Sequence, residues 1–122
     1  MVKYDEIAKM IDHSLLKPFL TDEEIINGCK TADTYKVASV CVRPSDVKLA
    51  AETLSESEVL VSTVIGFPHG TTTTQVKLEE TKEAIANGAR ELDMVLNIGK
   101  LKSGDNEYVK IELSNYRSLK SA

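Results

Sequence analysis

The chain contains no tryptophan, and aromatic residues make up only 5% of its 122 positions. It has little with which to stack nucleic-acid bases. It has two cysteines, Cys29 and Cys41, too few for a disulfide framework and without the paired spacing of a zinc site. The only histidines, His13 and His69, are isolated from each other, so no metal is expected. No apolar run approaches the ~20 residues that span a bilayer. The opening Met1-Val2-Lys3-Tyr4-Asp5-Glu6 lacks the apolar stretch of a secretory signal. Basic residues are not in excess: the formal net charge is −4, which argues against a general nucleic-acid binder. The expected setting is a reduced cytoplasm, with neither membrane nor nucleic acid as partner.

What remains is an ordinary globular composition, 42% hydrophobic and 28% charged, enough for one domain with one core. Tyr4, Ile7, Ala8 and Ile11 fall at helical spacing, and a short strand follows at Ile11-Asp12-His13-Ser14-Leu15 before Lys17-Pro18. Thr21-Asp22-Glu23-Glu24 is a capping box for a helix with Ile25, Ile26, Cys29 and Ala32 as its stripe. A second strand lies at residues 38–42. Pro44 then sits in the first turn of a helix striped by Val47, Ala50, Ala51 and Leu54.

Residues 59–65 are nearly continuous in apolar and β-branched side chains, as in a strand covered on both faces. They end in the breaker-rich Gly66-Phe67-Pro68-His69-Gly70. The next helix is expected to run to about Asn87, with Leu78, Thr81, Ile85 and Ala89 inward. Lys77, Glu79, Glu80, Lys82 and Glu83 are expected on a solvated face, and Gly88 as a C-cap. After Gly104-Asp105 a last helix would carry Val109, Leu113 and Tyr116 on one side.

Between these helices stands Glu91-Leu92-Asp93-Met94-Val95-Leu96-Asn97. Read as a strand, it turns Leu92, Met94 and Leu96 one way and Asp93, Val95 and Asn97 the other. A carboxylate inside an apolar run needs a partner if it is buried. The alternation of strand and helix predicts parallel strands with right-handed crossovers, in a doubly wound sheet or a (β/α) barrel. No G-x-G-x-x-G follows the first strand, which disfavours a dinucleotide fold. Polar groups recur instead on the strands: Asp12, Ser14, Ser39, Cys41, Thr63, Asp93 and Asn97. That pattern suits a barrel with chemistry at its C-terminal strand ends.

Four stretches, in order, resemble the deoxyribose-phosphate aldolases: Ile11-Asp12-His13-Ser14-Leu15-Leu16-Lys17-Pro18, Val40-Cys41-Val42-Arg43-Pro44, Thr63-Val64-Ile65-Gly66-Phe67-Pro68-His69-Gly70 with the following Thr72 to Lys77, and residues 87–97. The resemblance covers about the amino-terminal half of such a protein. It implies a TIM-type (β/α) barrel of which this chain carries about four βα units, as a single partial domain over residues 1–122 behind a short N-terminal helix. It also implies a class I aldolase that reversibly cleaves 2-deoxy-D-ribose 5-phosphate to acetaldehyde and glyceraldehyde 3-phosphate through a lysine Schiff base, without metal or cofactor. Asp93 corresponds to the family's proton-transferring aspartate. Asp12 and Ser14 correspond to the polar pair of the first strand, where threonine is common in place of the serine. Cys41 corresponds to a site-lining cysteine.

The family's Schiff-base lysine lies on the sixth strand, its second active lysine on the seventh, and its phosphate loops after the last two; none of these falls within the present sequence. The expectation is therefore an inactive isolated chain. Lys17, Lys100 and Lys102 read as solvated loop lysines, and Asp93 as water-exposed or paired with Lys100. Two open sheet edges and an uncovered apolar face would favour self-association or pairing with a complementary carboxy-terminal half. The alternative is a non-catalytic half-barrel module that associates with itself.

Overall fold

A computed structural model describes residues 1–120. Helix α1 (Tyr4–Ala8) leads into β1 (Asp12–Leu15), α2 (Asp22–Tyr35), β2 (Ser39–Val42) and α3 (Val47–Thr53), which is preceded by a 3-10 turn at Pro44–Asp46. Then come β3 (Leu60–Ile65), α4 (Thr74–Ala86), β4 (Glu91–Met94), α5 (Ile98–Lys102) and α6 (Asn106–Lys120). The strands form one parallel sheet in the order β1-β2-β3-β4, each pairing with its predecessor. This is the run of consecutive βα units from which a (β/α) barrel is built.

Local chemistry sets the helix ends. Thr21 Oγ1 accepts from Glu24 N at 3.3 Å while Glu24 Oε2 accepts from Thr21 N at 2.7 Å, completing the capping box of α2. Thr73 caps α4 through Val76 N. Asn97, expected on the strand's inward face, instead ends the extended segment and caps α5, accepting from Lys100 N at 3.0 Å. Arg43 links two loops beyond the strand ends. It donates to the carbonyls of Lys17, Pro18 and Leu20 after β1 and pairs with Asp46 at the start of α3.

The core lies between the helices and the outer face of the sheet. Leu15, Val40, Val42, Val61, Ile65 and Leu92 from the strands meet Ile25, Cys29, Ala32, Val47, Ala50, Leu54 and Ala84. Thr63 belongs to this outer side as well. Its hydroxyl donates to Val42 O at 2.7 Å and the residue is fully buried, so it is not one of the inward polar groups. Ser62, its neighbour, takes that place. Val61 and Ile65 alternate with Ser62 and Val64, and both valine and isoleucine go to the helix layer.

Helices α4 and α6 are rotated from the phase that hydropathy suggests. The buried stripe of α4 is Lys77, Thr81 and Ala84, while Ile85 is 39% exposed. On α6 Glu112 is buried and Leu113 is 44% exposed. The cause is an ion pair. Lys77 Nζ donates to Glu112 Oε1 at 2.7 Å, to Val95 O at 2.8 Å and to Gly70 O at 2.9 Å. Glu112 Oε2 accepts from Thr74 Oγ1 at 3.0 Å. Glu80, also expected on the solvated face, accepts from Gly66 N at 2.8 Å. With each of its three protons donated, the ammonium is better placed inside than Leu78 or Ile85 would be. Removing one partner strands the other charge. Urea unfolding of Lys77→Met should show a loss of about 3–5 kcal/mol, whereas Lys77→Met combined with Glu112→Leu should lose clearly less.

Candidate active site

The inner face of the sheet carries Asp12 and Ser14 from β1, Ser39 and Cys41 from β2, Ser62 and Val64 from β3, and Glu91 and Asp93 from β4, as alternation from the outward core residues requires. The expected apolar uncovered face is therefore largely polar. In a flat sheet, strands spaced ~4.8 Å apart would put β1 about 14 Å from β4. Yet a carboxylate oxygen of Asp12, the Sγ of Cys41 and a carboxylate oxygen of Asp93 all lie within 4.8 Å of one another. The sheet is curved like a barrel wall, and the two outer carboxylates close over the central strands. Cys41 is only 4% exposed and Ser62 1%, while Asp12 and Asp93 face solvent.

Asp12 is oriented by Ser39, whose hydroxyl donates to Oδ1 at 2.6 Å. Ser14 stands beside Cys41 in the strand register and is exposed. Burial pushes the Cys41 thiol up to about 11; the Ser62 hydroxyl pulls it down, and the negative charges of Asp12, Asp93 and Glu91 add to the rise. Ser62 Oγ is buried without a well-formed hydrogen bond, its thiol neighbour being a weak partner. On the outer side, Tyr116 donates its hydroxyl to Leu92 O. Burial, with the charge of Asp93 second, raises that phenol to about 12.

The predicted site residues thus converge: Asp12, Cys41 and Asp93 form one cluster and Ser14 flanks it. Asp93 is exposed, but not paired with Lys100. That lysine turns to Asp105 at 3.7 Å and lies over the Tyr108 ring, 5.1 Å from its centroid. Among the described residues the lysine ion pairs go to Asp33, Glu112, Glu79 and Asp105, none to Asp93. Lys17 and Lys102 are exposed. Sequence reading missed Ser62 and Glu91 as members of the inner face. The signal for both was strand alternation carried over from their apolar neighbours.

The loop between β3 and α4 forms a shelf at the same end of the sheet. Its Phe67–Pro68 bond is cis, and Gly66 and Gly70 have φ of 65° and 68°. A Cβ at Gly70 would sit 2.2 Å from Leu96 O, so only glycine lets this loop lie against the exit of β4. Gly70 N also donates to Gly66 O at 2.7 Å, and Lys77 holds Gly70 O from beneath. Exposed Phe67 and His69 cap the shelf.

Consecutive parallel βα units, curved so that acids and a thiol from separate strands meet inside, define a protein of the (β/α)-barrel type. Residues 6–119 match the DeoC/LacD family aldolases, and the chain belongs to that family. It is 55% identical over 107 residues to a deoxyribose-phosphate aldolase of Bacillus mycoides strain KBAB4, covering 88% of this chain and 48% of the relative. It is 54% identical over 108 residues to one from Clostridium botulinum, covering 88% and 51%.

Among solved structures, a putative deoxyribose-phosphate aldolase from Coccidioides immitis superposes with a TM-score of 0.93 at 38% identity, over 97% of this chain and 47% of that one. The tetrameric enzyme of Aeropyrum pernix gives 0.84 at 28% identity, over 97% and 50%. The chain spans about half the length of these relatives.

The thiol gives a direct probe of the cluster's charge. Because the Cys41 thiol is raised to about 11, its alkylation should be slow at pH 8 and accelerate as pH climbs toward 11. Neutralising either carboxylate, by Asp12→Asn or Asp93→Asn, should speed alkylation at pH 8, as peptide mapping can follow separately from Cys29. A folded-state thiol raised above its unfolded value of 9.0 stabilises the fold fully below that value. Cys29 is raised to about 11 as well, by burial first and then by Asp46. Thermal stability should therefore fall as pH rises from about 9 to 11.

Proposed function

We propose that this chain supplies the acidic half of a class I aldolase site that acts on 2-deoxy-D-ribose 5-phosphate. The reading rests on Asp12, Cys41 and Asp93 being drawn from three strands to one point of the inner face. It is supported by relatives, 54–55% identical over most of this chain, that carry the name deoxyribose-phosphate aldolase. The missing ingredient is a nucleophilic amine. Lys77 does not qualify: its ammonium is buried, and Glu112 and two carbonyls take all its protons. A neutral amine is what imine formation needs.

In the proposed reaction a lysine from a complementary carboxy-terminal half forms an imine at C1 of the open-chain sugar, losing water. Loss of the C3 hydroxyl proton then breaks the C2–C3 bond, and glyceraldehyde 3-phosphate leaves. The remaining enamine takes a proton at C2, and hydrolysis of the imine frees acetaldehyde and the lysine. Asp93, exposed on the inner face, is the group proposed to move protons in these steps, directly or through water. Asp12, held by Ser39, and the Cys41 and Ser14 side chains line the substrate. The inner face gathers acids without a lysine partner, so the arriving half contributes cations. The reaction so assembled needs no metal or cofactor. A cytoplasmic location belongs to the same proposal, supported by both cysteines being free thiols; among the described residues no helix is long and apolar enough to cross a membrane.

A second reading, a non-catalytic module that associates with itself, is favoured by the open β1 and β4 edges and by exposed Tyr4, Ile7, Met10, Ile11 and Phe19 around β1. Borohydride trapping separates the two. The chain alone with deoxyribose 5-phosphate should give no lysine adduct. Mixed with the carboxy-terminal half of the Bacillus mycoides relative, it should give an adduct on that half. Asp93→Asn should reduce turnover of the mixture by roughly 10²-fold or more. An adduct on Lys100 or Lys102 of the chain alone would defeat the need for a second half. A mixture that co-elutes as one assembly yet stays inert would leave the self-associating module as the better account.

A further inference from the structure

We infer that helix α6 positions Asp93 from outside the site: Tyr116 and, through Lys77, Glu112 grip the chain before and after that residue and set where its carboxylate stands over Cys41. Tyr116 donates its hydroxyl to Leu92 O, the carbonyl just before Asp93. Glu112 Oε1 accepts from Lys77 Nζ at 2.7 Å, and the same ammonium donates to Val95 O at 2.8 Å, two residues after Asp93. Glu112 and Tyr116 are four residues apart on one helix and therefore share a face. Both act through the backbone that carries Asp93 and not on the carboxylate, so they are positioning residues.

β4 has need of such a grip. It is last in the sheet and pairs with β3 alone among the described residues. Asp93 is its next-to-last residue, and the chain leaves the strand after Met94 to enter α5 at Ile98. Asp12 is oriented directly, by the Ser39 hydroxyl at 2.6 Å. Asp93 has no such side-chain partner among the described residues, so its backbone decides where the carboxylate goes. A group that moves protons has to be placed closely, because a shift of ~1 Å can cost ~10²-fold in rate.

Tyr116 separates the grip from ordinary packing. Its ring rests against the core, so Tyr116→Phe keeps the packing and removes only the donor. Burial raises the phenol to about 12; at pH 8 it is protonated, and the substitution changes no charge near the cluster. The catalytic consequence of the grip rests on the aldolase reading, but the positioning does not. The Cys41 thiol reports on it in the chain alone: after burial, the charge of Asp93 is among those that hold this thiol up.

The test is a double-mutant cycle read by Cys41 alkylation at pH 8. Tyr116→Phe should alkylate several-fold faster than the unaltered chain, because the carboxylate drifts from the thiol. The acceleration should vanish in the Asp93→Asn background, whereas a packing role alone would loosen both backgrounds equally. Lys77→Met combined with Glu112→Leu, which removes the anchor at Val95, should behave in the same way. In the mixture with the carboxy-terminal half of the Bacillus mycoides relative, Tyr116→Phe should lower kcat about tenfold and leave KM for deoxyribose 5-phosphate unchanged. If the unaltered mixture is inert, the aldolase reading fails, and the alkylation cycle still judges the grip. Three results would overturn the inference: either variant alkylating at the unaltered rate, an acceleration of equal size in the Asp93→Asn background, or an active mixture whose kcat Tyr116→Phe leaves unchanged.

Discussion

One buried ammonium joins the parts of this structure that carry its chemistry. Lys77 lies on α4 but donates to the loop after β3 through Gly70 O, to the exit of β4 through Val95 O, and to α6 through Glu112. Charges are brought inside a protein at high cost unless every proton finds an acceptor, and here each of the three does. The pairing decides which faces of α4 and α6 turn inward. It also decides that Ile85 and Leu113 stay partly in water. Val95 is two residues beyond Asp93, so the same contact holds the strand segment that presents the carboxylate.

From that anchor the inner face follows. The outer face of the sheet is held against the helices by branched apolar side chains, and the alternation of strands sends the small and acidic ones inward. Curvature does the remainder. Asp12 and Asp93 start on the two outermost strands, yet meet over Cys41. The thiol beneath them is buried, as are Ser39, Ser62 and Val64 on the same face. An acidic, partly dehydrated pocket of this kind holds a strong negative potential. The demand for positive charge there is set by the sheet itself, which brings Asp12, Asp93 and Glu91 to bear on one thiol.

Much of the fold was legible in the chain. The capping box at Thr21, the glycine after α4 and the alternation of apolar runs with amphipathic stretches placed the first three strands within a residue at each end and the fourth at its start, though that strand ends three residues earlier than expected. The inward placement of Asp12, Ser14, Cys41 and Asp93 followed from period-two alternation. Three things were not legible, each for a physical reason. Thr63 and Ser62 are adjacent and both polar, so a strand packed on both faces gives no contrast to choose between them. Lys77 and Glu112 lie 35 residues apart, and nothing local tells a solvated charge from one with a distant buried partner. A hint existed in the small residues Thr81 and Ala84 that follow Lys77 on its face and leave room for it. Asn97 read as a strand residue because its role as a cap depends on the chain turning, which hydropathy does not record.

The strand order has a consequence for how the chain comes into being. Every strand pairs with the one made just before it, so no pairing waits for a distant part of the sequence. Each βα unit can settle onto a template already in place while later residues are still being synthesised. The tie between Lys77 and Glu112 is the exception, because it closes only after α6 exists. Until then Lys77 can reach Gly70 O and Val95 O, but its charge has no carboxylate to answer it. The strands settle in the order of synthesis, and α6 then completes the pairing of Lys77.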